Sequence, residues 1–132
     1  VSLIVDASVA AKWVLDEEGS DRANALRSEI DLLAPSLIAA EVGNALWKAA
    51  RRRSISRAQA NFAVGMILRP FDRIVSTAEL SGQALQVAID TDHPIYDCFY
   101  IALAQRENAP LITADERQVA AARRAKVDVQ RL

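Results

Sequence analysis

Ser2-Leu-Ile-Val-Asp-Ala-Ser8 is the stretch on which the fold turns. A short apolar run of β-type residues meets an acid, Asp6. Val9-Ala-Ala-Lys-Trp-Val-Leu15 behind it reads as helix, with Ser8 as the expected N-cap. A strand that hands over to a helix at once is the start of an α/β unit.

The alternation continues down the chain. Ser20 to Ile30 predicts a second helix with Ala23, Leu26 and Ile30 on one side. Leu32-Leu-Ala34 is a brief strand ending at Pro35. Ser36 is placed to cap a long helix from Leu37 to about Arg53, whose apolar stripe is Ile38, Val42, Ala45, Leu46 and Ala49. Gly43 inside that helix costs about 1 kcal/mol against Ala; close approach of a neighbouring backbone would explain it. Helix is expected again from about Arg57 to Leu68, as a hairpin with the one before. Pro70 to Val75 reads as strand, Thr77 to about Ile89 as helix, and Asp90 to Pro94 as a polar loop. Tyr96 to Arg106 is helical, with Phe99, Leu103 and either Tyr100 or Ala102 facing inward. Pro110 to Thr113 is a strand, Asp115 opens a helix to about Arg124, and Val127-Asp-Val129 closes the chain as strand. Strands alternating with helices predict a mostly parallel sheet with helices on both faces, a three-layer α/β/α sandwich.

Composition agrees with one domain over residues 1–132. Apolar residues make up 52%, enough for a core, and the Ala content favours helix. Four Gly and four Pro leave little room for a disordered linker. A single Cys forms no internal disulfide and fits the reducing cytoplasm. No apolar run approaches the roughly 20 residues of a membrane span, and the run before Asp6 has no basic leader, so no signal peptide is expected. A net charge of −1 argues against a strong nonspecific nucleic-acid binder, but the charges are unevenly spread. Residues 1–41 carry eight acids and three bases. Residues 42–71 carry no acid and six bases: Lys48, Arg51, Arg52, Arg53, Arg57 and Arg69. Such separation can steer a polyanion toward an acidic centre, and a solvated helix face is the plainer account.

Four acids lie at strand–helix junctions or helix edges: Asp6, Glu41, Asp97 and Asp115. Singly, each has a local explanation as a cap, a turn residue or a boundary residue. Gathered, two unit charges ~5 Å apart repel by roughly 3 kcal/mol at an effective dielectric of ~20. Convergence therefore calls for a cation. With one His and one Cys, an ordinary zinc site is not expected, whereas carboxylate oxygens suit Mg²⁺ or Mn²⁺. The matching chemistry is phosphodiester hydrolysis. His93 and Cys98 are expected to be a solvated loop residue and a core residue. Trp13 and Trp47 are expected to pack or to contact a partner rather than stack on bases.

Val5-Asp-Ala-Ser8, Pro35-Ser-Leu-Ile-Ala-Ala-Glu-Val-Gly-Asn44, Tyr96-Asp-Cys-Phe-Tyr-Ile-Ala-Leu-Ala104 and Leu111-Ile-Thr-Ala-Asp115, in that order, resemble PIN-domain ribonucleases, nearest to VapC-type toxins. The resemblance covers nearly the whole chain. It implies an α/β/α fold and Mg²⁺- or Mn²⁺-dependent endonucleolytic cleavage of RNA. It places Asp6, Glu41, Asp97 and Asp115 in the acidic metal site. Ser8, Asn44 and Thr113 would orient the ligands or substrate, with Lys48, Arg51, Arg52 and Arg53 as RNA or partner contacts. It further implies a small antitoxin partner and a homodimer. The alternatives are a housekeeping RNA-processing nuclease of the same fold, a non-catalytic module, and a phosphoacceptor signalling domain. The last would need an acceptor Asp where Ile74-Val-Ser76 stands.

Overall fold

The computed structural model describes residues 2–28 and 31–132. Five strands form the sheet: β1 (Ser2–Val5), β2 (Asp31–Pro35), β3 (Arg73–Val75), β4 (Leu111–Thr113) and β5 (Val129–Arg131). Their order is β3-β2-β1-β4-β5 and every pairing is parallel. Seven α-helices join them: α1 (Ala7–Val14), α2 (Ser20–Ala25), α3 (Leu37–Arg51), α4 (Arg57–Val64), α5 (Thr77–Thr91), α6 (Ile95–Glu107) and α7 (Glu116–Arg124). Successive strand residues point to opposite faces. Leu3-Ile-Val5, Leu32-Leu-Ala34 and Leu111-Ile-Thr113 are buried without a break, so both faces of the sheet are covered. This is the expected α/β/α sandwich, with a sheet parallel throughout.

The strand order reverses direction between β1 and β4. In an open parallel sheet, the crevice outside the carboxyl ends of two such strands is where sites form. Asp6 follows β1 directly and Asp115 lies just beyond β4, so two acids flank that crevice. Helix α6 packs against β1, β2 and β4 and against α5. It is buried all round, from Cys98 through Ala104, rather than along one inward face. Truncating Ile101 or Leu103 to Ala there would cost about 2–5 kcal/mol.

Several boundaries differ from expectation, each for a local reason. Asp6, not Ser8, is the N-cap of α1, and Ser8 lies within the first turn. Ser36 has helical backbone angles and no capping bond of its own. Its Oγ instead accepts from the Thr77 backbone N–H at 3.0 Å, while Thr77 Oγ1 accepts from the Leu37 N–H at 2.8 Å. Helices α3 and α5 thus cap one another. The α-helix begun at Ser20 ends at Ala25 and tightens into a 3₁₀ turn over Leu26–Ser28; Ile30 lies outside the described residues. Helix α4 stops at Val64 with Gly65 as its C-cap, short of Leu68. Strand β3 begins only at Arg73, because the Asp72 carboxylate takes the Leu32 N–H at 2.8 Å. Helix α5 extends through Asp90 to Thr91, and Asp92 closes it in the left-handed conformation. The final strand starts at Val129, since Lys126 adopts the left-handed conformation and the Val127 N–H turns back to the Ala122 carbonyl. A Cβ on Gly43 would meet no atom within 4 Å, so no close backbone explains that glycine.

Candidate active site

Asp6 is the centre of the best-built polar cluster. Its N–H bonds the Ile112 carbonyl across the β1–β4 gap at 3.0 Å. Its carbonyl starts α1 by accepting from Val9 and Ala10. The side chain is only 5% exposed. Oδ2 accepts from the Ser8 hydroxyl at 2.6 Å, the Thr113 hydroxyl at 2.9 Å and the Ser8 N–H at 3.3 Å. Oδ1 faces the Gln118 amide nitrogen at 3.4 Å. The two hydroxyls also reach across the strand gap. Ser8 Oγ accepts from the Ala114 N–H at 2.9 Å and Thr113 Oγ1 from the Asp115 N–H at 3.0 Å. Each hydroxyl has one proton, and both are used on Asp6, so the 3.1 Å Ser8–Thr113 contact adds no third bond then. Burial pushes the Asp6 carboxyl above its ordinary range against these bonds, and the Asp97 charge adds to the rise.

Glu41 comes from α3 and is half-buried. Its Oε1 accepts from the hydroxyl of fully buried Tyr100 at 2.6 Å. Burial raises its pKa to about 7; the Tyr100 bond opposes this, and the charges of Asp6 and Asp97 reinforce it. Asp97 sits in the first turn of α6, where the macrodipole favours an acid. Its Oδ2 lies 2.8 Å from His93 Nε2. His93 is therefore a buried partner of an acid and not the solvated loop residue expected. Cys98 is buried as expected, and burial pushes its thiol pKa up, which leaves it unsuited to nucleophilic work.

The four acids do not share one point. Asp6, Glu41 and Asp97 are close enough for their charges to act on one another. Asp115 is not among those charges. Its carboxylate is committed to capping α7, accepting from the Arg117 N–H at 2.9 Å. Among the described residues, no three His, Cys, Asp or Glu side chains close up into a set able to hold a metal ion. Each acid is held by its own partner instead: hydroxyls for Asp6, Tyr100 for Glu41, His93 for Asp97 and a backbone N–H for Asp115.

The donor chemistry nonetheless fits a hard dication. Among the described residues no Lys or Arg pairs with Asp6, Glu41 or Asp97. Burial and mutual repulsion push two of these carboxyls up, which is the condition a cation relieves.

The other expected residues divide. Ser8 and Thr113 are in the network. Asn44 is exposed on α3 and takes no side-chain hydrogen bond among the described residues. Lys48, Arg51, Arg52 and Arg53 are exposed at the far end of that helix, with Arg51 stacked 5.2 Å from the centre of the exposed Trp47 ring. Trp13 packs as expected, against Phe71, with its indole N–H on the Ala23 carbonyl at 2.7 Å. Two residues of the network escaped sequence reading as site members, Tyr100 and Gln118. Each lies three positions after a site acid, Asp97 and Asp115, and so on the same helix flank. That spacing was the available signal.

The likeness to known proteins runs through the whole chain. A family model described as the PIN domain matches residues 3–124. "Ribonuclease VapC3" of Pyrobaculum aerophilum is 34% identical over 123 residues, covering 91% of this chain and 93% of that protein. The crystal structure of PAE2754 from the same organism superposes with a TM-score of 0.74 at 27% identity, over 98% of this chain and 83% of the other. Mycobacterium tuberculosis VapC20, named as a sarcin–ricin loop cleaving toxin, shares the fold with a TM-score of 0.70 at 19% identity, over 90% and 94%. On the matched span, the parallel sheet and the acids at its switch point, the chain belongs to the PIN domain family.

Proposed function

We propose that this chain is a divalent-metal-dependent endoribonuclease, the toxin of a toxin–antitoxin pair acting in the cytoplasm. The observation that carries the reading is the group of three mutually repelling carboxylates at the β1–β4 switch point, with no Lys or Arg paired to them among the described residues. The identity with a protein named a ribonuclease supports RNA as the substrate.

Asp6, Glu41 and Asp97 would hold Mg²⁺ or Mn²⁺. Asp115 keeps one carboxylate oxygen on its cap bond to Arg117 and would join them through the other. A bound dication would neutralise charge on the scissile phosphate and acidify water there. The chain supplies orientation. Ser8 and Thr113 fix the Asp6 carboxylate, Tyr100 holds one oxygen of Glu41, and His93 holds one of Asp97. These partners keep the acids apart in the absence of the ion, so binding it requires small side-chain rotations rather than a change of fold. Lys48 and Arg51 lie on the helix that carries Glu41, and Arg52 and Arg53 follow directly at its end; all four are free of ion pairs among the described residues and suit contact with RNA phosphates or a partner. The wider reading includes a small antitoxin that blocks the site, and a homodimer.

The test is to incubate the chain with RNA and sequence the ends produced, with Asp97→Asn as control. Cleavage that stops in EDTA and returns with Mn²⁺ or Mg²⁺ is expected, at internal positions. Trimming from an end only would replace the endonuclease reading with an exonuclease. Copurification with a short antitoxin separates a toxin from a housekeeping nuclease.

A further inference from the structure

Gln118 is the fully buried polar residue of α7, and its hydrogen bonding is lopsided. Nε2 donates to the Asp97 backbone carbonyl at 3.0 Å and faces Asp6 Oδ1 at 3.4 Å. Oε1 has no hydrogen-bond partner among the described residues. Turning the amide over would not help. The oxygen would then face a carbonyl and a carboxylate, and both N–H groups would be orphaned. The observed orientation is the better of two, and it still leaves a buried acceptor unserved. That loses stability a hydrophobic side chain of the same length would retain.

Only one thing at this position needs the amide. The Asp97 carbonyl lies inside α6, where the helix supplies its own donor. Asp6 Oδ2 already has three donors. Asp6 Oδ1 has Gln118 alone. The carboxylate is thus held at both oxygens from opposite sides, by hydroxyls of the β1/α1 and β4 segments and by the amide of α7. Oδ1 is the oxygen with acceptor capacity to spare.

We propose that Gln118 is a positioning residue: its amide sets the angle of the Asp6 carboxylate and ties it to the backbone of α6, at the expense of fold stability. The inference rests on the nuclease reading above and adds to it a residue that touches neither ion nor RNA. A purely structural glutamine would have its own carbonyl satisfied.

The experiment compares the wild type with Gln118→Met, which keeps length and removes polarity, and Gln118→Leu, which removes polarity with a shorter side chain. Mn²⁺ affinity is measured by titration calorimetry, melting in EDTA, and kcat and KM on one RNA. For Gln118→Met the expected result is an equal or higher melting temperature in EDTA. Its Mn²⁺ affinity and kcat should be lower by about 10- to 100-fold, with KM for RNA unchanged. Gln118→Leu should lose as much. A Gln118→Met chain that binds Mn²⁺ as tightly as the wild type overturns the inference, as does a Gln118→Leu chain with wild-type affinity. A wild type that binds no Mn²⁺ overturns the nuclease reading itself, and this inference with it.

Discussion

Two neighbouring junctions, β1 into α1 and β4 into α7, are built alike and placed differently. Each follows its strand with an aspartate in extended conformation that caps the helix by accepting the N–H two residues on. At Asp115 the capping bond is 2.9 Å and accounts for the residue. At Asp6 it is 3.3 Å, while the better bonds come from hydroxyls, one of them on the other junction. Asp6 is buried and its charge is opposed by its surroundings; Asp115 is only partly buried and holds its cap bond. One acid is explained by the helix it caps. The other is buried and charged beyond what a cap needs, and that excess marks the site.

The contrast breaks most sharply at Asp6. Asp6→Asn should abolish RNA cleavage while leaving the melting temperature in EDTA unchanged or higher, because it removes a buried charge and keeps the acceptor that Ser8 and Thr113 use. A several-degree drop in melting, with cleavage intact, would make Asp6 a cap like its neighbour.

Thr113→Val should come next, since that hydroxyl serves both junctions at once. It leaves the Asp115 N–H unpaired and one Asp6 bond unmade, a loss of about 1–3 kcal/mol in stability. Activity should fall by about 10- to 100-fold, as when outer partners of a metal ligand are removed. Denaturant melts and initial rates check both halves. A neutral effect on rate would detach Thr113 from the site.

A gentler effect separates the two junctions by pH. Glu41, beside Asp6, has its folded pKa raised from 4.5 to about 7. Between those values the folded chain binds more protons than the unfolded one, so stability falls as pH rises through that window. Below it both states are protonated, and above it the full penalty is present. The metal-free chain should therefore melt higher at pH 5 than at pH 8, and Glu41→Gln should reduce the slope. Tyr100→Phe removes the bond that restrains the rise, so the alkaline half of the transition should move upward. A melting temperature independent of pH across this range would show that neither burial nor the neighbouring acids oppose the Glu41 charge.

The fold was legible because its signals are local. Apolar runs beside helical runs with caps and turn residues predict an alternating parallel sheet, and the strand ends put Asp6 and Asp115 on one edge. Several of the misreadings share a cause, which is that side chains from distant segments took over roles that neighbours were expected to fill. Thr77 caps the helix assigned to Ser36, and Asp72 takes an N–H assigned to the sheet. His93 looked solvated because it stands between exposed Asp92 and Pro94, and nothing local marks it alone as buried. The acids were found by type and spacing, but not the separate partner that holds each apart from the rest. Gln118 and Tyr100 were hidden for the same reason: their partners lie 112 and 59 residues away.

The smallest effect is at the second junction and decides how far the comparison extends. Asn caps a helix as well as Asp does, so Asp115→Asn should leave stability within about 0.5 kcal/mol. Asp115→Ala should lose about 0.5–2 kcal/mol with the cap. Any change in cleavage shared by both variants must then come from the missing charge and not from the helix. If Asp115 does no more than cap its helix, that change should be about tenfold, the lower end of what an outer partner contributes, as measured by kcat on the same RNA. A loss as complete as for Asp6→Asn would mean that the Asp115 carboxylate acts at the ion itself, through the oxygen its cap leaves free, and that the two junctions, different in their bonding, are equivalent in function.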